Sequence, residues 1–342
     1  AFLCCGQCHG IVGCCAETGC LGGGVDHMVQ YNEFNCTVST FYTIMSILQV
    51  ASNIKHKPFS GVYNINDHKV IDAIQNYFDR NKFADIISNC NVKLFLNDYF
   101  DWFKQTNHDL LGIEQYNSLA FCLGTTNAFD MFVINYPDKK LATFKGEYSY
   151  HNILTRTQYG KPYWIENVTQ LNSQNILTIS VPFSDTGNEP LDLEFILEYC
   201  DNNNIKVLID MAYANISEGI RVNLDHSCID TVTTSLSKCF PLSHVKVGMR
   251  MQKTNIDDGI DMITSTDYVN KLGISIGHHL IKNFDPNYIS NTYRAQQHNL
   301  CKQLDIESSK TVIFGVDHKN KYPEYNRGSS TNRLCLSKHF QT

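Results

Sequence analysis

Thr231-Val232-Thr233-Thr234-Ser235-Leu236-Ser237-Lys238 starts as a strand and ends on an amine. β-Branched residues fill its first half, as a pleated, buried surface prefers. Upstream, Lys206-Val207-Leu208-Ile209-Asp210-Met211-Ala212-Tyr213 has the same build: an apolar run stops at a carboxylate, and a tyrosine follows three positions later. Runs this short, bounded by polar residues, read as strands buried on both faces. Working outward, residues 119–123, 141–144, 176–181, 206–209, 231–235 and 245–251 form a series of such runs, separated by helix-like segments. Strands alternating with helices predict an α/β protein with a mostly parallel sheet covered on both faces.

Ligands of such sheets gather beyond the carboxyl ends of the strands. Lys238, Asp210 and Tyr213 all follow strands. A lysine there is commonly just solvated, and an acid there commonly caps the next helix. In a partly desolvated cleft, however, an amine sheds its proton and attacks an aldehyde. A third segment, Gly124-Thr125-Thr126-Asn127-Ala128, lies between a strand and a helix. Small residues at that turn leave backbone N–H groups open at a helix N-terminus, which suits a phosphate.

In order and spacing, these three segments resemble the fold-type I pyridoxal phosphate (PLP) enzymes, in particular the class I/II aminotransferases. Asp210 and Lys238 lie 238 − 210 = 28 positions apart, a gap that fits the family. The resemblance spans roughly residues 115–340. It implies a three-layer αβα fold with a mostly parallel seven-stranded sheet and a smaller α+β domain. It implies PLP held on Lys238 as a Schiff base, with Asp210 beside the pyridine nitrogen, where an acid keeps the ring an electron sink. Tyr213 would bond the ring oxygen. Gly124, Thr125, Thr126, Ser235 and Ser237 would hold the phosphate. The family arginine that also binds it is replaced by Lys246, with Arg250 as the spare. Tyr148, in Gly146-Glu147-Tyr148, matches the aromatic that stacks on the ring, and Tyr150 and His151 are the alternates. Arg333 matches the arginine that grips the substrate carboxylate, a task that suits a forked guanidinium. Ser184 stands where the family has an asparagine on the ring oxygen, and Asp185 replaces the proline after it. That acid must turn away from the ring. A tyrosine from the partner subunit often reaches the phosphate; Tyr63 and Tyr77 are both candidates.

The resemblance further implies an amino acid and a 2-oxo acid as substrates and a homodimer. Transamination leads, with a decarboxylase, lyase or racemase on the same fold as the alternative. A non-catalytic binding protein built around its cysteine-rich tail is the rival of another class. The 342 residues carry a formal charge of 28 − 34 = −6 with both signs scattered, which argues against a nucleic-acid partner. No apolar stretch reaches the roughly 18 residues of a membrane span. Eight of the 14 cysteines are spread singly, as in a cytoplasmic protein with reduced thiols.

The other six, Cys4, Cys5, Cys8, Cys14, Cys15 and Cys20, crowd a Cys/Gly-rich tail over residues 1–24. Cys5 and Cys8 make one Cys-x2-Cys pair with His9 beside it. The second close pair of a zinc ribbon is missing, so no metal site is assigned; metal binding, a modified, redox-active or disulfide-linked tail and an unstructured end all stay open. Residues 25–95 read as an N-terminal arm and part of the small domain, 96–264 as the large PLP-binding domain, and 265–342 as the C-terminal small domain. The start at Ala1, without Met, reads as processed or incomplete. The end at Thr342, where the family adds a helix, reads as trimmed or as a branch without it.

Overall fold

Three helices lead into the sheet. α1 (His68–Arg80) and α3 (Val92–Lys104) each begin at an acceptor side chain: Asp67 takes the Val70 N–H at 3.0 Å and Asn91 the Leu94 N–H at 2.9 Å. Such caps satisfy donors that a helix leaves open at its start. α2 (Phe83–Ser88) joins them. The structure is a computed structural model that describes residues 57–341. The tail over 1–24, its cysteines, and a helix read from the sequence over 41–48 lie outside the described residues.

After the short strand β1 (Asp109–Leu111) the alternation begins. It runs β2 (Ser118–Cys122), α4 (Thr126–Asn135), β3 (Lys140–Thr143), α5 (Ser149–Tyr159), β4 (Asn175–Ser180), α6 (Leu193–Asn202) and β5 (Lys206–Asp210). β6 (Arg221–Asn223) pairs with β1, then β7 (Ile229–Ser235) and β8 (Gly248–Gln252) complete the sheet. Its order is β2-β8-β7-β5-β4-β3. β3, β4, β5 and β7 pair in parallel, and β8 runs antiparallel to both its neighbours. In β5, Val207 and Ile209 join the main core, whereas Leu208 packs with Phe129, Phe132, Leu141 and Ile176 on the other face. This alternation between two buried faces is what three layers require.

Among the described residues the sheet has six strands, where seven were expected. Beyond β3 the chain makes one parallel bridge, Phe144 with Ile165, in which the Ile165 N–H donates to the Thr143 carbonyl at 2.9 Å. Pairing stops there because a capping box at Asn167 and Gln170 turns the backbone into a helical turn over Val168–Gln170.

The remaining elements are α7 (Gly259–Ser265), α8 (Lys271–Asn283), α9 (Tyr288–Leu304), β9 (Glu307–Ser308), β10 (Phe314–Asp317) and β11 (Asn332–Cys335). The last three strands form an antiparallel sheet of order β11-β10-β9, with Val316 opposite Arg333. The first long strand of this sheet begins only at Phe314. Before Phe314 the carbonyls of Ser309 and Thr311 are taken by the buried Gln297 amide, both at 3.0 Å, so the ladder does not begin earlier.

Arg250 in β8 is almost completely buried and faces Asp258 and Asp261, the latter at 2.8 Å. Breaking such a pair strands a charge in the interior. Arg250→Ala is expected to lower unfolding stability by about 3–5 kcal/mol, read as a reduced urea midpoint.

Candidate active site

The carboxyl ends of the parallel strands meet at one edge of the sheet, and the residues after each strand enclose a cavity of about 570 Å3. β2 leads to Gly124 and α4; β3 leads to Glu147 and Tyr148. β4 ends at Ser180 and runs on to Ser184. β5 ends in Asp210, with Tyr213 behind it, and β7 in Ser235, with Ser237 and Lys238 behind it. β8 runs the other way, so its beginning reaches the same edge and brings Lys246. From the smaller sheet comes Arg333. All of Gly124, Thr125, Thr126, Tyr148, Ser184, Asp210, Tyr213, Ser235, Ser237, Lys238, Lys246 and Arg333 line this cavity.

One end is a cradle. α4 has no side-chain cap, so no side chain occupies its first-turn N–H groups. Gly124 has φ +72°, a left-handed conformation that favours glycine. A Cβ there would lie 3.5 Å from Lys246 Cδ and 3.9 Å from Ser235 Oγ. A Cβ on Gly248 would come within 2.9 Å of the Gly124 and Thr234 backbones, so only glycine lets β8 approach this turn. Ser235 Oγ accepts the Ser237 N–H at 3.2 Å and lies 3.1 Å from the Ser237 hydroxyl. A helix N-terminus, two hydroxyls and an ammonium form a donor set for a phosphate. Arg250 is not part of it. The sequence reading put Lys246 and Arg250 on one strand face, but the strand begins only at Gly248, and Arg250 turns to Asp258 and Asp261.

Asp210 and Lys238 face the same space. The Asp210 carboxylate is buried and accepts the Ala212 N–H at 3.0 Å. Burial pushes its carboxyl up to about 7, with Glu147 adding repulsion and Lys238 opposing. Burial pulls the Lys238 ammonium down from its ordinary value; Asp210 opposes, while Lys246 and Arg333 assist. Among the described residues Lys238 has no ion-pair partner, only a 3.5 Å approach to the Val62 carbonyl. A buried amine without a partner carboxylate is primed as a nucleophile.

A further wall holds Ser184, Tyr213, Arg333 and Arg327. Arg327 donates from Nη1 to the Ser184 carbonyl at 2.8 Å and to Ser184 Oγ at 3.2 Å, and from Nη2 to the Glu147 carbonyl at 3.0 Å. Arg333 also donates to the Ser184 carbonyl and lies over the Phe314 ring at 4.4 Å. Asp185 does turn away: its Oδ2 accepts from the Ser329 and Thr331 hydroxyls. Tyr148 lines the cavity, whereas Tyr150 bonds Asp130 at 2.8 Å. His151 is buried against Phe129 and held down at about 3 by desolvation. Tyr63 sits under the Lys338 ammonium and Tyr77 stacks on His279; neither lines the cavity.

Solved structures share this fold. A PLP-bound C-S lyase from Staphylococcus hominis superposes with a TM-score of 0.57 at 12% identity, covering 81% of this chain and 86% of that one. This is the fold of the type I PLP-dependent enzymes. A PLP-bound protein of Clostridium difficile 630 described as an aminotransferase gives a TM-score of 0.61 at 11% identity, covering 84% and 90%. The histidinol-phosphate aminotransferase of Clostridium acetobutylicum gives 0.56 at 11%, covering 81% and 93%. No protein-family model and no curated protein sequence matches the chain.

Within this type I frame, sequence reasoning missed Arg327, Ser180 and Glu147. Glu147 is buried and accepts the Ser180 N–H at 2.7 Å and its hydroxyl at 2.6 Å. The signal for Arg327 was an arginine alone among small polar residues in Asn326-Arg327-Gly328-Ser329-Ser330-Thr331, just before the last strand.

In the ligand-free protein the folded state holds the Asp210 proton to about pH 7, whereas the unfolded chain releases it near 3.8. The folded state therefore binds more protons across that window, and this group costs stability as pH rises through it. Asp210→Asn removes the cost. Its melting temperature is expected to exceed that of the parent by more at pH 8 than at pH 5; an equal shift at both would refute the assignment.

Proposed function

We propose that this protein is a PLP-dependent enzyme acting on an amino acid, with amino-group transfer to a 2-oxo acid as its reaction. The observation that carries the proposal is one cavity holding a half-buried amine with no ion-pair partner among the described residues, a buried carboxylate and a separate phosphate cradle. Those three groups match the aldehyde, the pyridine nitrogen and the phosphate of PLP. The residues fit the group by the chemistry of the donor set and by the glycine-shaped cradle at Gly124. PLP, when bound, supplies an electron sink for the bond broken at the substrate Cα.

The chain's own residues do the rest. Gly124, Thr125, Thr126, Ser235, Ser237 and Lys246 would hold the phosphate, and Tyr148 would cover a ring face. Asp210, whose carboxyl burial raises to about 7, would be favoured as the carboxylate by a cationic ring nitrogen beside it. Lys238 anchors the cofactor. Its amine, when neutral and free, would accept and return the Cα proton of the substrate. Arg333 has donors free for a carboxylate, and fixing that group decides which Cα bond stands across the ring. In this reading the working unit is a cytoplasmic homodimer. Among the described residues no helix is long and apolar enough to cross a membrane.

A C–S lyase shares the fold with the aminotransferases, so elimination or decarboxylation is the competing chemistry. The purified protein mixed with PLP is expected to turn yellow, to lose that colour with borohydride, and to carry the pyridoxyl label on Lys238 by peptide mapping. Label on another lysine would sink the site assignment. Incubation with an amino acid and a 2-oxo acid is expected to exchange amino groups; release of ammonia or carbon dioxide without exchange would assign the protein to lyase or decarboxylase chemistry.

A further inference from the structure

This inference rests on the PLP reading and concerns the one substituent of the ring not yet given a wall. The cradle takes the phosphate, Asp210 the pyridine nitrogen and Lys238 the aldehyde carbon. The ring hydroxyl is on the side of the aldehyde carbon away from the phosphate arm. Ser184, at the position the resemblance gives to the ring-oxygen residue, lines the cavity together with Tyr213, Arg327 and Arg333, and both arginines hydrogen-bond to it.

Arg333 has its other duty at the carboxylate. Arg327 has a different environment. Its guanidinium is fixed by three hydrogen bonds, all to uncharged oxygens: the Ser184 and Glu147 carbonyls and Ser184 Oγ. The nearest carboxylate, Asp185, stands 3.9 Å away. A half-buried guanidinium with only this loose ion pair as its counter-charge still directs part of its field into the cavity it lines. Both arginines oppose the upward push of burial on the Tyr213 phenol, which places their charge at this edge.

Asp185 explains how Arg327 is held there. Its fully buried carboxylate grips Ser329 and Thr331, on the far side of Gly328 (φ +104°) from Arg327. Asn326, the residue before the arginine, closes the loop by donating to the Ser329 and Thr331 carbonyls at 3.0 and 3.1 Å. The Ser184-Asp185 pair is therefore one device: the serine receives the guanidinium, and the acid clamps the loop that carries it.

We propose that Arg327, clamped through Asp185, is a positioning residue that keeps a positive charge on the ring-hydroxyl edge of the cofactor bound at Lys238. The charged and titratable groups lining the cavity with Arg327 include Tyr213, Lys238, Asp210, Arg333, Lys246, Lys57 and Glu324, and Asp185 stands outside the lining at 3.9 Å from Arg327. Glu147 and Cys335 lie behind them. A cation within about 4–6 Å lowers the proton affinity of an acidic hydroxyl by about 1–3 pH units.

The test is the visible absorbance of the PLP-loaded protein, titrated with pH. Arg327→Gln is expected to raise the midpoint by about 1–3 units. Arg327→Lys, which keeps the charge without the fork, is expected to shift it by less. Ser329→Ala, which loosens the Asp185 clamp without removing a charge or touching the cavity, is expected to move the midpoint in the same direction as Arg327→Gln. If Arg327→Gln fails to fold or to take up PLP, the other two variants carry the test. A yellow variant with the parental midpoint overturns the proposal and leaves the PLP reading intact. A parent protein that takes up no PLP overturns that reading itself.

Discussion

Two opposite charges, Asp210 and Lys238, are withdrawn from water into one cavity without pairing closely with each other. Proteins rarely leave charges so, because desolvation outweighs anything short of good partners. Here it pushes the acid toward its neutral form and the amine toward its own. The sheet enforces the arrangement. Asp210 ends β5 opposite Thr233 of β7, and Lys238 lies five residues beyond Thr233. Neither side chain can retreat to solvent without unpairing a central strand. A site so built is strained when empty and relieved by a ligand that brings a cation to the acid and a carbonyl to the amine.

Much of this was legible in the sequence, for a definite reason. Strands buried on both faces must be continuously apolar, so a polar residue at the end of such a run marks where the strand leaves the core. Asp210, Ser235 and Lys238 stood out on that ground, and β4, β5 and β7 were located to within a residue or two. Gly124 was legible because a strand-to-helix turn needs small residues.

What was not legible depended on tertiary neighbours. Arg250 was the spare phosphate ligand to Lys246, yet Asp258 and Asp261 on the following segment claim it. The seventh strand shrank to one bridge because a capping box after Ile165 competes for the backbone. Arg327 was invisible because its importance comes from Ser184 and Asp185, more than 140 positions away. The pair Ser184-Asp185 read as a loss of an asparagine and a proline. In the folded chain it is half of a contact whose other half lies in a loop without periodicity.

The close approach of Gly248 to Gly124 reaches beyond packing. The cradle is made of two pieces of chain about 120 residues apart, and they meet only after β8 has slipped between β2 and β7. A long-range pairing of this kind is slow to form. Nascent chains thus have no grip on a phosphate until the last central strand is inserted. Cofactor uptake would then act as a proofreading step that draws the population toward molecules with a finished sheet, by simple mass action.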